Sequence, residues 1–121
     1  MKKIILSIVV LFVGITSFSA QTISFENVTI DYGTVKKGEN GKKVFEFTNT
    51  GNLPLIISNV KTSCGCTVPS WTKTPILPDK KGNITVQYDT KITGKFSKSI
   101  EVFSNDPKAA RKVLTIKGEI Q

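Results

Sequence analysis

Two thiols separated by one residue can close a local disulfide, exchange it with another thiol, or together hold a soft metal ion. This chain of 121 residues places its only two cysteines in that relation, as Cys64-Gly65-Cys66. The sole tryptophan, Trp71, follows within the same short stretch, Thr62 to Trp71. In an extended strand, residues two apart have Cα atoms roughly 6.6 Å apart with parallel Cβ vectors, whereas a disulfide needs Cβ atoms about 3.5–4.5 Å apart. Cys64 and Cys66 therefore bridge only if the chain folds tightly at Gly65, which glycine permits. Such a ring is minimal and constrains the unfolded chain little, so stabilisation alone is a poor reason for this spacing.

A redox role fits a bridge between near neighbours, which is a labile one. The surroundings lend it little, because the chain has no histidine and no helix follows the cysteines to depress a thiol pKa; Lys61 is the nearest positive charge. Two thiolates suit copper(I) in near-linear coordination. Tetrahedral zinc needs four ligands, and the single methionine is Met1, so zinc would require a second chain or carboxylates. Against these stands a structural reading, in which Cys64 and Cys66 are small residues packed in a tight bend near Trp71. Cys64, Gly65 and Cys66 are thus the candidate functional or redox motif.

No catalytic constellation accompanies them. Without histidine there is no ordinary Ser-His-Asp triad. The acidic residues are scattered, and Asp79, Asp89 and Asp106 fall in turns, where aspartate caps backbone amides. Glycines mark turns and form no phosphate-cradling loop. The expectation is a protein that is not an enzyme and uses no cofactor.

The elements that hold the motif begin after residue 20. Lys2 and Lys3, the apolar run Ile4 to Val13 and the small residues near Ala20 make residues 1–20 a secretory signal peptide. The apolar run is too short for a helix across a bilayer of roughly 30 Å, and no second one follows. Residues 21–121 are then one exported domain, in the periplasm or at the cell surface, with no stable membrane span after cleavage. They carry 15 basic residues (the 17 Lys and Arg less Lys2 and Lys3) against 9 acidic, a net charge of +6. Nearly all of that is lysine, with Arg111 the one arginine, so the guanidinium forks that read phosphates are missing and nucleic acid is not an expected partner.

From Gln21 the pattern alternates with period two and is broken by turn residues about every ten positions. Ile23 and Phe25 alternate with polar neighbours, as do Val28, Ile30 and Tyr32. Phe45 and Phe47 share a face, and Leu53 to Val60 is apolar enough for a central strand entered after Pro54. Thr74-Pro75-Ile76-Leu77-Pro78 is an edge piece or loop. Ile84, Val86 and Tyr88 point inward; Phe96, Ile100 and Val102 share a face on which Lys98 marks an end or rim; Leu114, Ile116 and Ile120 line the last strand. Seven short strands and no helical period predict an all-β, immunoglobulin-like Greek-key sandwich of antiparallel sheets, with a small closed barrel as the competing architecture.

Three runs carry a further resemblance. Phe45-Glu46-Phe47-Thr48-Asn49-Thr50-Gly51, Pro54-Leu55-Ile56-Ile57 and Ser63-Cys64-Gly65-Cys66-Thr67-Val68-Pro69, closed by Ile116-Lys117-Gly118, resemble the bacterial family called domain of unknown function 1573. The resemblance implies a secreted immunoglobulin-like sandwich similar to major sperm protein and Hydin-type domains, and no assigned activity. The expected function is a non-enzymatic binding or scaffold module of the cell envelope with a protein partner. The alternative is a thiol-redox or copper(I)-handling protein acting through Cys64 and Cys66.

Overall fold

A computed structural model describes residues 20–121, so the reading of residues 1–20 as a signal peptide falls, all but Ala20, outside the described residues. Eight strands occur in order: β1 (Ile23–Phe25), β2 (Thr29–Val35), β3 (Lys42–Asn49), β4 (Ile57–Thr62), β5 (Thr67–Trp71), β6 (Lys81–Tyr88), β7 (Gly94–Ser104) and β8 (Arg111–Ile120). They form two four-stranded sheets, β1-β3-β6-β5 and β2-β8-β7-β4. Alternation decides the layering. Phe45 and Phe47 of β3, Ile84 and Val86 of β6, Ile100 and Val102 of β7, and Leu114 and Ile116 of β8 are all essentially sealed from solvent between the sheets. Burying each such side chain contributes about 1.5–3 kcal/mol. The architecture is the expected immunoglobulin-like sandwich, and no helix occurs among the described residues.

Four details depart from the expectation. The sheets are not wholly antiparallel, because β2 pairs with β8 in parallel, Thr29 opposite Thr115. β1 and β2 are two halves of one extended segment that changes sheet at Asn27-Val28; β1 runs antiparallel to β3, while β2 arrives beside a strand running its own way. Val28 sits at that crossing and is 48% exposed rather than inward. The eighth strand is β5, whose Pro69 hides it from a sequence pattern; a proline is tolerated here because β5 lies at a sheet edge. The apolar run after Pro54 is not a central strand, since β4 begins only at Ile57 and forms the other sheet's edge.

That run is apolar for a different reason. Leu55 and Ile76 make a single two-way bridge (2.9 and 2.8 Å) that closes the seam between the β4 and β5 sides, and both are buried. Gly82, which reads as a turn residue, lies inside β6, where a side chain would collide with the Phe47 ring. Lys98 is half-buried on β7, just past Ile100, the last residue that β4 covers, so its rim position is as expected. Asp106 is a cap as expected: its carboxylate accepts the amides of Lys108 (2.9 Å), Ala109 (3.2 Å) and Ile23 (3.0 Å). Asp89 caps Lys91 (3.0 Å). Asp79 instead supplies a left-handed turn residue (φ 65°).

Candidate functional site

β4 belongs to one sheet and β5 to the other, so Ser63 to Cys66 must carry the chain across the sandwich in four residues. Hydrogen bonds hold this arch. Ser63 donates its amide to the Ser99 carbonyl (3.0 Å) and accepts the Ser99 amide on its hydroxyl (3.1 Å). The Cys64 carbonyl accepts from the Thr62 hydroxyl (2.9 Å) and the Thr67 amide (3.2 Å). The Cys66 carbonyl accepts from the Asp89 amide (2.9 Å).

Within the arch Cys64 and Cys66 are joined by a disulfide, their Cα atoms 5.2 Å apart. The contraction at Gly65 that a bridge requires is present, yet Gly65 has no left-handed φ, and a Cβ there would meet nothing within 4 Å. Both cysteines are half-buried, and Cys66 packs against the edge of the core. The Cys66 amide donates to Cys64 Sγ (3.2 Å), and Thr67 Oγ1 lies 4.0 Å from Cys66 Sγ. A ring this small removes only about 1.5 kcal/mol of unfolded-chain entropy, about half the effect of a 15-residue loop. With the sulfurs bonded to one another, the thiolate pair that copper(I) needs would exist only after reduction. Among the described residues there is no group of three or more His, Cys, Asp or Glu placed to hold a metal.

The packing of the motif near Trp71 is not found. β5 is extended, which puts about 13 Å of strand between Thr67 and Trp71. Trp71 is half-buried at the far end, with Lys73 Nζ 4.0 Å above its ring.

What the arch does adjoin is an open groove of about 820 Å³ between the β2–β3 loop, the β6–β7 loop and the start of β5, lined by Gly41, Gly65, Cys66, Val68 and Gln87 among others. Gly41 makes it possible, since any Cβ there would overlap the Tyr88 carbonyl. The Tyr32 hydroxyl donates to the Gly41 carbonyl (2.6 Å), and burial pushes its pKa up to about 12, so it stays a donor. Below, the Tyr88 and Phe96 rings stack at 3.9 Å, with Tyr32 edge-on to Phe96 at 5.3 Å. Burial, with the Asp89 carboxylate beside it, also raises the Tyr88 pKa. The rim is mixed in charge, with Glu39 and Asp89 against Lys42 and Lys91. In the sequence Tyr88 reads as an inward strand residue, Asp89 as a turn residue and Gly65 and Cys66 as a candidate redox motif, with nothing to join them into a groove. Their convergence is set by loops that are distant along the chain, and no local pattern records it.

The sheet edges are the other surface on which a partner could act. Backbone polar groups on a strand alternate sides, so each edge strand directs every second N–H and C=O away from its sheet. Three of the four edges are blunted. On β1 the outward Ile23 amide is taken by Asp106. On β4 the Val60 amide is taken by the Asn59 side chain (2.9 Å). On β5 Pro69 has no N–H, and the Thr67 amide and carbonyl are engaged by the Cys64 carbonyl and the Thr62 hydroxyl (3.3 Å). β2 differs. Its Val28 and Val35 carbonyls accept from Thr115 and Gln121 of the β8 side, so Thr29 and Asp31 turn their backbone groups outward. No strand among the described residues covers that edge.

The chain is similar in fold to several solved structures. A protein of unknown function from Porphyromonas gingivalis W83 is 22% identical and superposes with a TM-score of 0.76, covering 90% of this chain and 51% of that one. The PapD-like domain 7 of human CEP192 is 11% identical with a TM-score of 0.69, covering 89% and 91%. The CsuC–CsuE chaperone–tip adhesion subunit pre-assembly complex of Acinetobacter baumannii is 10% identical with a TM-score of 0.58, covering 83% and 57%. This chain thus spans about half the length of the Porphyromonas protein. No curated protein matches the sequence. The pattern of one family, described as a protein of unknown function (DUF1573), matches residues 23–120. Nearly the whole described chain is covered by that match, and the chain belongs to this family.

Proposed function

We propose that this chain is a non-enzymatic, exported binding module of the cell envelope that takes an extended, acidic segment of a partner polypeptide along the free edge of β2. The observation that carries the reading is the contrast among edges: on β1, β4 and β5 an outward amide is taken by a side chain or turn, or is missing at a proline, whereas β2 leaves the backbone groups of Thr29 and Asp31 outward. An added strand would gain main-chain hydrogen bonds there, and side chains would set its specificity. Acidity in the partner follows from charge. Lys36 and Lys37 leave the end of β2, Lys117 lies opposite Asp31, and Lys43 stands over the Tyr32 ring (5.3 Å). Export rests on the reading of residues 1–20 as a signal peptide. The Acinetobacter structure, a chaperone–tip adhesion subunit pre-assembly complex with a chain of this fold, supports the use of such a sandwich for binding a polypeptide.

The test places a photo-cross-linking amino acid at Thr29 or, as a control, at Val44 on the outer face of the other sheet, in the full chain expressed in its own cells. One envelope protein should be captured repeatedly from Thr29 and not from Val44. Its capture should fall when Lys36 and Lys37 are replaced by glutamate, and when Asp31→Pro removes an outward N–H. Capture that is equal from both positions, or indifferent to all three substitutions, would sink the proposal.

A further inference from the structure

The geometry points to a second activity, beside the β2–β3 loop: the Cys64–Cys66 disulfide exchanges with thiols of a cysteine-bearing polypeptide docked in the adjoining groove, and it does so with a defined direction, through Cys66. Three observations converge. Gly65 and Cys66 line the groove, and the space above Gly65 is empty, so the bond is approachable from that side. The arch is fastened through Ser63, the Cys64 carbonyl, Thr67 and the Cys66 carbonyl, none of which uses a sulfur, so the chain can cross between sheets with the bond open. The Cys66 amide points at Cys64 Sγ (3.2 Å), which makes Cys64 the sulfur better able to carry negative charge.

The exchange then runs as follows. A partner thiolate attacks Cys66 Sγ; the Cys64–Cys66 bond breaks as the new sulfur–sulfur bond forms. The electron pair leaves with Cys64 Sγ, where the Cys66 amide supports the thiolate until it takes a proton from water. A second partner thiolate attacks the partner's own sulfur in the mixed disulfide and releases Cys66 as a thiolate, which is protonated in turn. The partner's dithiol has become a disulfide, and Cys64 and Cys66 have gained the two electrons and two protons. The balanced rim charge, Glu39 and Asp89 against Lys42 and Lys91, suits a mixed polar peptide.

The experiment treats the folded full chain with reduced glutathione at pH 8, quenches with iodoacetamide and maps the tryptic peptide from Thr62 to Lys73. The expected intermediate carries glutathione on Cys66 and carbamidomethyl on Cys64. The fully reduced protein, and a Cys64→Ala/Cys66→Ala double variant, should keep the β-sheet circular-dichroism spectrum, with Tm lowered by about 10 °C or less. Glutathione found on Cys64 would overturn the direction. A bond that opens only when the protein is unfolded, or a sheet spectrum lost on reduction, would overturn the exchange site altogether and leave the disulfide a structural clamp.

Discussion

Tyr32 links the core to the groove through one hydroxyl. Its ring packs edge-on against Phe96, its oxygen donates to the Gly41 carbonyl, and that carbonyl also receives the Tyr88 amide (3.1 Å). Burial raises its pKa to about 12, above the roughly 10 of an unfolded tyrosine. The sign follows directly. A folded-state pKa above the unfolded one contributes stability below pH 10 that is lost as pH climbs towards 12, because only the unfolded chain gives up the proton easily. The amount is up to about 3 kcal/mol for a shift of this size, less where water reaches the oxygen. Tyr32→Phe should therefore cost about 0.5–1.5 kcal/mol at pH 7, for the lost hydrogen bond, and flatten the decline in stability between pH 10 and 12. Urea titrations of both proteins across that range would decide it; parallel curves would mean that Tyr32 does not titrate as its burial implies.

At the level of single elements, β2 is the strand with most at stake. It rests on β8 alone, in parallel, with an irregularity between Asp31 and Thr34 where the Asp31 carboxylate accepts the Gly33 amide (2.8 Å). The amides of Ile30 and Tyr32 face the sheet, and those of Thr29 and Asp31 face away. Hydrogen exchange in the free protein should alternate accordingly, with Thr29 and Asp31 at least about tenfold faster than Ile30 and Tyr32, since an amide bonded within a sheet exchanges only when that strand opens. Uniform protection along β2 would mean that something covers the edge. Much of this element was legible in sequence: the alternation of Ile30 and Tyr32, like that of Phe45 and Phe47 or Ile84 and Val86, is a local signal of a half-buried strand. Whether a strand pairs parallel or antiparallel, or sits at an edge, has no such signal. Leu53 to Ile57 misled for that reason, because the Leu55–Ile76 bridge buries apolar residues as well as a central strand does. β5 was lost to Pro69, whose cost depends on which way its missing N–H would point. That a Cys64–Cys66 bridge needs a contraction at Gly65 followed from bond geometry, whereas the groove beside it depends on Gly41 of the β2–β3 loop meeting Gln87 of β6 and Asp89 just after it.

Across the whole molecule, the two ends of the domain are sewn together last in sequence and first in importance. β8 lies between β2 and β7, so Thr29 meets Thr115, and the amide of Ile23 is held by Asp106. Such pairings must close long loops before any contact repays the entropy lost, which places a sandwich of this kind in the millisecond-to-second range of folding. The disulfide contributes nothing to that search, because its ring spans three residues of an arch that is local in any case. Refolding followed by the fluorescence of Trp71 should show one exponential phase in that range, and reduction of Cys64–Cys66 should leave its rate within about tenfold, the limit set by the small stability it supplies. A microsecond phase would point to local structure that the β topology does not provide. Refolding slowed a hundredfold on reduction would mean that the arch must be locked before the sheets can meet, and would make the disulfide part of the folding nucleus rather than a site free to exchange.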